Sequence, residues 1–280
     1  MAITVNTNMQ AMRIQQNLSN ATDRMDTAME RMSSGSRINQ AKDDAAGFAV
    51  SAKLEMTISG SKVASSNVKM GNDLLSTAEG TLDVINANLM RIRDLTEQAA
   101  NGTYEGFDLN AIASEVQARL DQIDVLANSV SFNGKKLLDN SQSLGVTLQV
   151  GTSSSDSLQL SGSIFQSINI SGIQTDLAAA ITAGVSSTIA GFLDSVDAVL
   201  SNVTERITDI GAFENRLEAV TDGLSVQITN LASALSTIKD ADVAEESSAY
   251  VQAQILQSAS ATLLVQANSA PQIALTLIQG

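Results

Sequence analysis

The strongest constraint on the fold is a heptad repeat of apolar residues in three separate segments. The repeats occupy residues 75–99, 112–130 and 217–238. Such spacing places the apolar side chains on one stripe of a helix, and it is typical of helices that pack along a coiled-coil seam. The first repeat consists of Leu75, Ala78, Leu82, Ile85, Leu89, Ile92 and Ala99. The sequence therefore predicts a mainly α fold built from long antiparallel helical rods.

Turn signals follow the first two repeats and interrupt the middle of the chain. Asn101-Gly102 and Asn133-Gly134 predict helix ends, because Asn and Gly tolerate left-handed backbone angles. Residues 146–150 and 158–160 alternate apolar and polar side chains on either side of a turn-forming stretch. That alternation predicts a small β-hairpin region in the middle of the chain. Ser, Gly and Ala dominate from there to about residue 191.

Both ends of the chain are almost uncharged. Residues 247–280 contain no charged side chain, and Arg13 carries the only charge in residues 1–22. Both segments nevertheless have helical spacing of apolar residues, and a solvent-facing helix normally presents a charged face. The ends therefore form either the core of a folded monomer or a surface that is buried between subunits.

We favour burial between subunits. A helix of 34 residues is about 50 Å long, which is too long for one small domain to surround. Uncharged polar side chains can also form hydrogen bonds when buried, without the desolvation penalty of a full charge. The residues predicted to pack between subunits are Met9, Met12, Leu18, Met25, Val251, Ile255 and Leu263.

Composition excludes several classes of function. The chain has 280 residues, 16 Lys and Arg against 30 Asp and Glu, and no His or Cys. Without imidazole or thiol groups it cannot form a Ser-His-Asp triad, a Cys-His pair or a His/Cys zinc site. The net charge of −14 argues against nucleic acid and membrane partners. No signal peptide or membrane span is visible. No phosphate-binding loop and no catalytic constellation is visible either, so we expect no enzyme activity, cofactor or metal.

Asp43-Asp44 is the one acidic pair that invites a chemical interpretation. Two adjacent carboxylates are compatible with metal binding or with acid/base catalysis. The simpler interpretation is that they form surface ion pairs or cap a helix that starts near Ala45. We favour the simpler one, because no further acidic residue follows within ten positions.

Motifs at both ends of the chain resemble those of bacterial flagellins. The N-terminal signature comprises residues 33–39 (Ser-Ser-Gly-Ser-Arg-Ile-Asn) and 41–47 (Ala-Lys-Asp-Asp-Ala-Ala-Gly). Agreement continues in Thr77–Gly80, Arg91–Leu95, Gln98–Thr103, Phe132–Leu138, Asp240–Asp242, Gln254–Gln257, Gln266–Asn268 and Pro271-Gln272. The resemblance covers about residues 1–139 and 203–280, in the same order as in the family.

The resemblance implies a function and a domain plan. Flagellins are exported unfolded by the flagellar type III apparatus and self-assemble into the extracellular filament used for motility. By analogy, residues 1–44 and 240–280 would form the terminal helical inner layer, with the two ends packed together. Residues 45–140 and 203–239 would form a helical rod domain, and 141–202 a short connector. The chain would therefore be a short flagellin with little or no outer variable domain.

Partners and contact residues follow from the same resemblance. The family implies an export chaperone on the C-terminal helix, a filament cap, hook-associated junction proteins and the innate immune receptor Toll-like receptor 5. The receptor-contact positions match Arg91, Leu95 and Glu115, although Met90 and Thr96-Glu97 depart from the usual pattern, and a family arginine near Gly211 is displaced to Arg206. The expected chaperone-binding residues are Val251, Ile255, Leu263, Leu264 and Ile273.

Two alternatives compete with a filament subunit. A hook–filament junction protein shares the terminal helices and the export route, but such proteins usually depart from the Ala-Lys-Asp-Asp-Ala-Ala-Gly pattern. A cytoplasmic coiled-coil scaffold is the other alternative, and charged termini would have favoured it.

Overall fold

Seven α-helices and two small β-hairpins make up the described chain. The computed structural model describes the backbone of residues 7–279 and the side chains of residues 7–269. The elements are α1 (Met9–Ser34), α2 (Ala45–Ala100), α3 (Phe107–Ser129), β1 (Ser131–Phe132), β2 (Lys135–Lys136), β3 (Val146–Gln149), β4 (Ser157–Leu160), a 3-10 helix (Gly162–Phe165), α4 (Ser171–Gln174), α5 (Leu177–Ala183), α6 (Ser186–Lys239) and α7 (Val243–Gln279). The predicted mainly α fold with a small central β region is confirmed.

The chain divides into two compact units. The first unit combines residues 1–58 with residues 229–280, and the second is residues 59–228. The breaks between helices fall at residues 35–44 and 240–242, close to the predicted domain boundaries, whereas the compact units divide inside α2 and α6. Assignment of these parts to an inner layer and an outer tube stays a prediction.

The predicted heptad repeats form the core of the second unit. All seven residues of the first repeat, from Leu75 to Ala99, are at most 2% exposed. In α3 the side chains of Val116, Leu120 and Ile123 are fully buried in the same apolar cluster. Side-chain hydrogen bonds show that α3 and α6 both run antiparallel to α2. Between α2 and α3, Arg91 contacts Glu115 and Asn88 contacts Arg119. Between α2 and α6, Ser76 contacts Glu214 and Arg93 contacts Asp197.

The third repeat is buried over only part of its length. Leu217 and Leu224 are buried, but Leu231 and Ile238 are half-buried. The change lies near residue 228, where the second compact unit ends. The apolar stripe of α6 therefore continues beyond the main core.

The middle of the chain is more ordered than its composition predicts. The hairpin β3–β4 pairs Val146 with Leu160 and Gln149 with Ser157, which confirms the predicted hairpin. Residues 186–202, predicted as connector, instead form the start of α6, and α5 packs on α3. The helical segment predicted to stop at Asn133-Gly134 ends earlier, at Ser129, because these two residues form the left-handed turn of the β1–β2 hairpin.

None of the helices within residues 7–279 combines the length and hydropathy needed to cross a bilayer.

Truncation of Leu89 tests the seam. The side chain is fully buried, so Leu89→Ala should lower the free energy of unfolding by about 2–5 kcal/mol while keeping a residue that favours helix. The matched control is Val84→Ala on the same helix, where the side chain is 49% exposed and the change should stay within about 0.5 kcal/mol. Urea denaturation followed by circular dichroism measures both, and equal midpoints would contradict the assignment of Leu89 to the core.

Candidate assembly surface

The two terminal helices pair with each other in the first compact unit. The amide of Asn8 donates to the carbonyl oxygen of Ala267 (2.8 Å), and Gln257 donates to the hydroxyl of Thr22 (3.1 Å). At the other end Arg31 forms an ion pair with Glu246 (3.0 Å). Low numbers on α1 face high numbers on α7 along the whole pair. The helices are therefore antiparallel.

Small side chains line the seam between α1 and α7. Its buried residues are Ala21 and Ala28 on α1, and Ala253, Ser260 and Ala267 on α7. On both helices the buried and half-buried positions follow heptad spacing, which is the signature of coiled-coil packing. Because the seam is narrow, each helix covers only one face of its partner.

Most of the residues predicted to pack between subunits are exposed. Met9 and Met12 are 55% and 57% exposed, and Val251, Ile255 and Leu263 are 50%, 62% and 55% exposed. Leu18 and Met25, from the same predicted set, are half-buried at heptad positions of the α1 seam. The structure therefore separates the predicted residues into five outward-facing ones and two that lie on the pairing face.

The predicted chaperone-binding residues divide in the same way. Val251, Ile255 and Leu263 are exposed, whereas Leu264 is half-buried on the seam face of α7. The side chain of Ile273 lies outside the described residues. Leu256 and Val265, 50% and 72% exposed, extend the outward apolar surface of α7, and sequence reasoning missed both.

Backbone hydrogen bonds join the loop between α1 and α2 to the loop between α6 and α7. Ser36 pairs with Asp240 as an isolated antiparallel bridge, in which the amide of Arg37 donates to Lys239 (2.6 Å) and that of Ala241 donates to Gly35 (3.0 Å). The Arg37 guanidinium donates to the carbonyl oxygen of Ile238 (2.8 Å). A cation at this position satisfies a carbonyl at the end of α6, where helix carbonyls lack partners.

Asp43 and Asp44 have structural roles in this loop. Asp43 accepts hydrogen bonds from the amides of Asn39 and Gln40, and the bond from Gln40 is the main reason that its pKa lies below the usual value. Asp44 accepts a hydrogen bond from the amide of Gly47 (2.9 Å) at the start of α2. Asp44 therefore caps α2, as predicted for a helix that starts near Ala45, whereas Asp43 binds amides within the loop.

Gly47 fits this loop because it lacks a side chain. A Cβ atom there would lie 2.6 Å from Cδ1 of Ile38, which is itself 3% exposed, and would also collide with the Asp44 carboxylate. The Ser33–Gly47 motif thus contains the end of α1, the loop that is hydrogen-bonded to the loop between α6 and α7, and the start of α2.

Two of the three candidate receptor-contact residues lie together. Arg91 donates from Nε and Nη2 to the two carboxylate oxygens of Glu115 (3.0 and 3.3 Å), and Arg119 donates to the same carboxylate (3.1 Å). Hydrogen bonds from Arg91 and then Arg119 hold the pKa of Glu115 below its usual value. Leu95 is 2% exposed, so the three residues do not form one exposed surface.

Sequence reasoning did not identify the role of Arg206. Its side chain is buried in α6 and donates to the carbonyl oxygens of Gln166 and Ser167, which follow the 3-10 helix. Burial lowers the pKa of Arg206 from its ordinary value. The displaced arginine therefore holds the connector against the core.

A glycine in α2 lets the β3–β4 hairpin approach closely. A Cβ at Gly71 would collide with Cδ1 of Leu148 on β3. The sequence around Gly71 did not predict this contact, because the contact depends on where the distant β3–β4 hairpin packs.

No group of three or more Asp or Glu residues that could hold a metal occurs among the residues that the structure describes. The outward face of α1 and α7 carries large exposed apolar side chains, among them Met12 and Ile255.

Comparison with known proteins agrees with this geometry at both ends of the chain. The model of the bacterial flagellin N-terminal helical region matches residues 5–143, and that of the bacterial flagellin C-terminal helical region matches residues 193–278. The chain belongs to the bacterial flagellin family. Flagellins are the structural subunits of the flagellar filament, and this is the function of the chain.

Individual relatives match the chain over nearly its whole length. A flagellin of Halalkalibacterium halodurans is 37% identical over 276 residues, which cover 98% of this chain and 99% of the relative. A flagellin of Bacillus subtilis is 35% identical over 307 aligned residues, with the same coverage. The Halalkalibacterium halodurans flagellin is therefore similar to this chain in length as well as in sequence, as expected for a short flagellin.

A solved structure shares the fold. A Vibrio parahaemolyticus protein described as flagellar hook-associated gives a TM-score of 0.62, covers 71% of this chain and is covered completely, at 18% identity. At this identity the likeness concerns the fold alone and does not favour the junction-protein alternative over flagellin.

Replacement of Gly47 tests whether close packing against Ile38 and Asp44 requires a glycine in this flagellin. Gly47→Ala should destabilise the first unit by about 1–2 kcal/mol, because displacement of the buried Ile38 side chain and of the capping carboxylate costs more than the gain in helix propensity. The control Gly80→Ala has no atom within 4 Å of the new Cβ and should stabilise α2 by about 0.5–1 kcal/mol. Thermal denaturation distinguishes these opposite signs, and a stabilising Gly47→Ala would refute the steric argument.

Proposed function

We propose that this flagellin self-assembles by burying the outward apolar side chains of α1 and α7 against other copies of the chain. The observation that carries the proposal is the apolar exposure of α7, where five large apolar side chains are at least 50% exposed in a segment without charges. The five are Val251, Ile255, Leu256, Leu263 and Val265.

Solvent is an unfavourable environment for that surface. Burial of apolar area is favourable by about 25 cal/mol per Å², and contiguous exposed apolar patches mark interaction sites. The polar residues between them, such as Gln252 and Gln254, can form hydrogen bonds in an interface without the desolvation penalty of an ion. A second copy provides both kinds of contact.

A filament also requires two different complementary surfaces on each copy. Head-to-tail contacts that do not close into a ring propagate as a helix. α1 and α7 leave different outward faces beside their shared seam, which satisfies this requirement. Copies added at one end would then extend the filament, outside the cell and after export in an unfolded state.

Before export the same apolar residues need cover. A chaperone that binds Val251, Ile255 and Leu263 would compete directly with assembly, because all three are exposed in the single chain. Leu264 and Ile273 belong to the same proposed contact when the helix pair is open. In the proposed filament, the cap and the hook-associated proteins would contact the subunits at the two ends of the polymer.

A charged side chain on the outward face of α7 tests the assembly proposal. Ile255 is 62% exposed, so Ile255→Asp should leave the helix content and the unfolding midpoint of the single chain unchanged. Burial of an unpaired carboxylate between copies is strongly unfavourable, and the critical concentration for polymerisation should rise by roughly a hundredfold or more. Sedimentation and negative-stain microscopy measure filament formation.

The matched control places the same charge elsewhere. Val125 on α3 is 58% exposed, and Val125→Asp should polymerise within a fewfold of the unchanged protein. Normal filaments from Ile255→Asp, or equal loss of assembly in both variants, would show that the outward face of α7 is not the assembly surface.

Recognition by Toll-like receptor 5 is a second proposed activity, and the observation behind it is the exposed Arg91–Glu115 pair. The side chains are 46% and 37% exposed and present a fixed charge pattern on neighbouring helices. The buried Leu95 would support α2 from the core side, so the proposed contact narrows to the two charged residues.

A receptor reporter assay with purified monomer tests this activity. Arg91→Ala removes a charged hydrogen-bond donor and should weaken the response by about tenfold. The control is Arg216→Ala, an exposed arginine on α6 that should keep the response. Absence of any response to the unchanged monomer, or an Arg91→Ala response equal to it, would eliminate the receptor contact.

A further inference from the structure

Oxidisable sulfur is concentrated in one terminal helix. The chain has nine methionines and no cysteine, and five of the nine lie within the 26 residues of α1. Thioether sulfur is therefore the main target that this protein offers to a two-electron oxidant.

Three of the five α1 methionines are outward-facing. Met9, Met12 and Met29 are 55%, 57% and 47% exposed, and they occupy positions outside the heptad stripe that faces α7. The other two, Met25 and Met32, are half-buried on that stripe, and the sulfur of Met32 accepts a hydrogen bond from Ser247 (3.3 Å). Access to oxidant thus divides the helix into an open face and a protected one.

The position of Met9 and Met12 links them to the assembly face of α7. The Asn8–Ala267 hydrogen bond sets the start of α1 level with the part of α7 that carries Leu263 and Val265. Those two side chains are 55% and 72% exposed. One end of the helix pair therefore presents apolar groups from both helices, and on α1 these groups contain sulfur.

Oxidation changes this surface without cutting the chain. Hydrogen peroxide transfers one oxygen atom to the thioether: the O–O bond breaks, an S=O bond forms, and water leaves. Sulfur loses two electrons and the peroxide gains them. The product, methionine sulfoxide, is a polar hydrogen-bond acceptor that disrupts methionine-rich interfaces.

We propose that Met9, Met12 and Met29 are oxidation sites that control whether the chain can assemble. In the single chain they are open to peroxide, and their sulfoxides are disfavoured in an apolar interface between copies. Within a filament the same three side chains are covered and protected. This inference rests on the proposed assembly role of α1 and α7.

Peroxide treatment of the unassembled full-length chain tests the proposal. After removal of the peroxide, the critical concentration for polymerisation should rise by about tenfold, which corresponds to about 1.4 kcal/mol. Treatment with methionine sulfoxide reductases should restore assembly, since the lesion is reversible.

Two triple variants locate the effect. Met9→Leu, Met12→Leu and Met29→Leu together keep apolar side chains of similar volume and should make assembly insensitive to peroxide. The control variant carries Met56→Leu, Met70→Leu and Met90→Leu, three methionines of α2 that are 69%, 53% and 54% exposed. It should stay as sensitive as the unchanged protein.

A measurement without variants provides an independent result. Partially oxidised chain is allowed to polymerise, and peptide mass spectrometry compares sulfoxide at each methionine in the pelleted and soluble fractions. Sulfoxide at Met9, Met12 and Met29 should be enriched in the soluble fraction. Equal distribution, unchanged assembly after oxidation, or protection by the α2 variant instead of the α1 variant would overturn the inference. Failure of the untreated chain to polymerise would instead refute the proposed assembly itself.

Discussion

The seam between α1 and α7 is the constraint on which the functional surface depends. It is built from side chains as small as Ala21, Ala28 and Ala253, so the two helices approach closely but cover little of each other. Val251, Ile255 and Leu263 lie outside the heptad positions of α7 that face α1, so the pairing leaves them exposed. Exposed apolar groups of this kind are the reason for the proposed contact with a neighbouring copy.

The second unit differs, because large apolar side chains from several helices bury its seam completely. Leu82, Ile85 and Leu89 are completely buried by α3, α6 and the connector. Arg206 contributes by donating to carbonyl groups of the connector. One part of the chain therefore completes its core alone, while the other presents an incomplete one.

Heptad spacing was sufficient to predict the core of the second unit, since burial at positions such as Leu82 follows from periodicity. It was insufficient for Asn133-Gly134, because the same dipeptide can end a helix or turn a hairpin, and neighbouring strands decide between them. Arg206 shows a related limit, because the local pattern does not encode which segment covers a given helix face. The uncharged segment at the C-terminal end directed attention to α7, and three of its five outward residues, Val251, Ile255 and Leu263, were named from the sequence, whereas Leu256 and Val265 were not.

The contacts that join the chain ends have a consequence for the order of folding. Asn8 bonds to a carbonyl 259 residues away, and Thr22 bonds to a side chain 235 residues away. If the chain emerges N-terminus first from a narrow conduit, α1 leaves early and α7 leaves last. Every contact between them must wait for the final segment, whereas α2 and α3 can meet much sooner. In that case the helix pair that carries the proposed assembly surface would be the last part of the described chain to form.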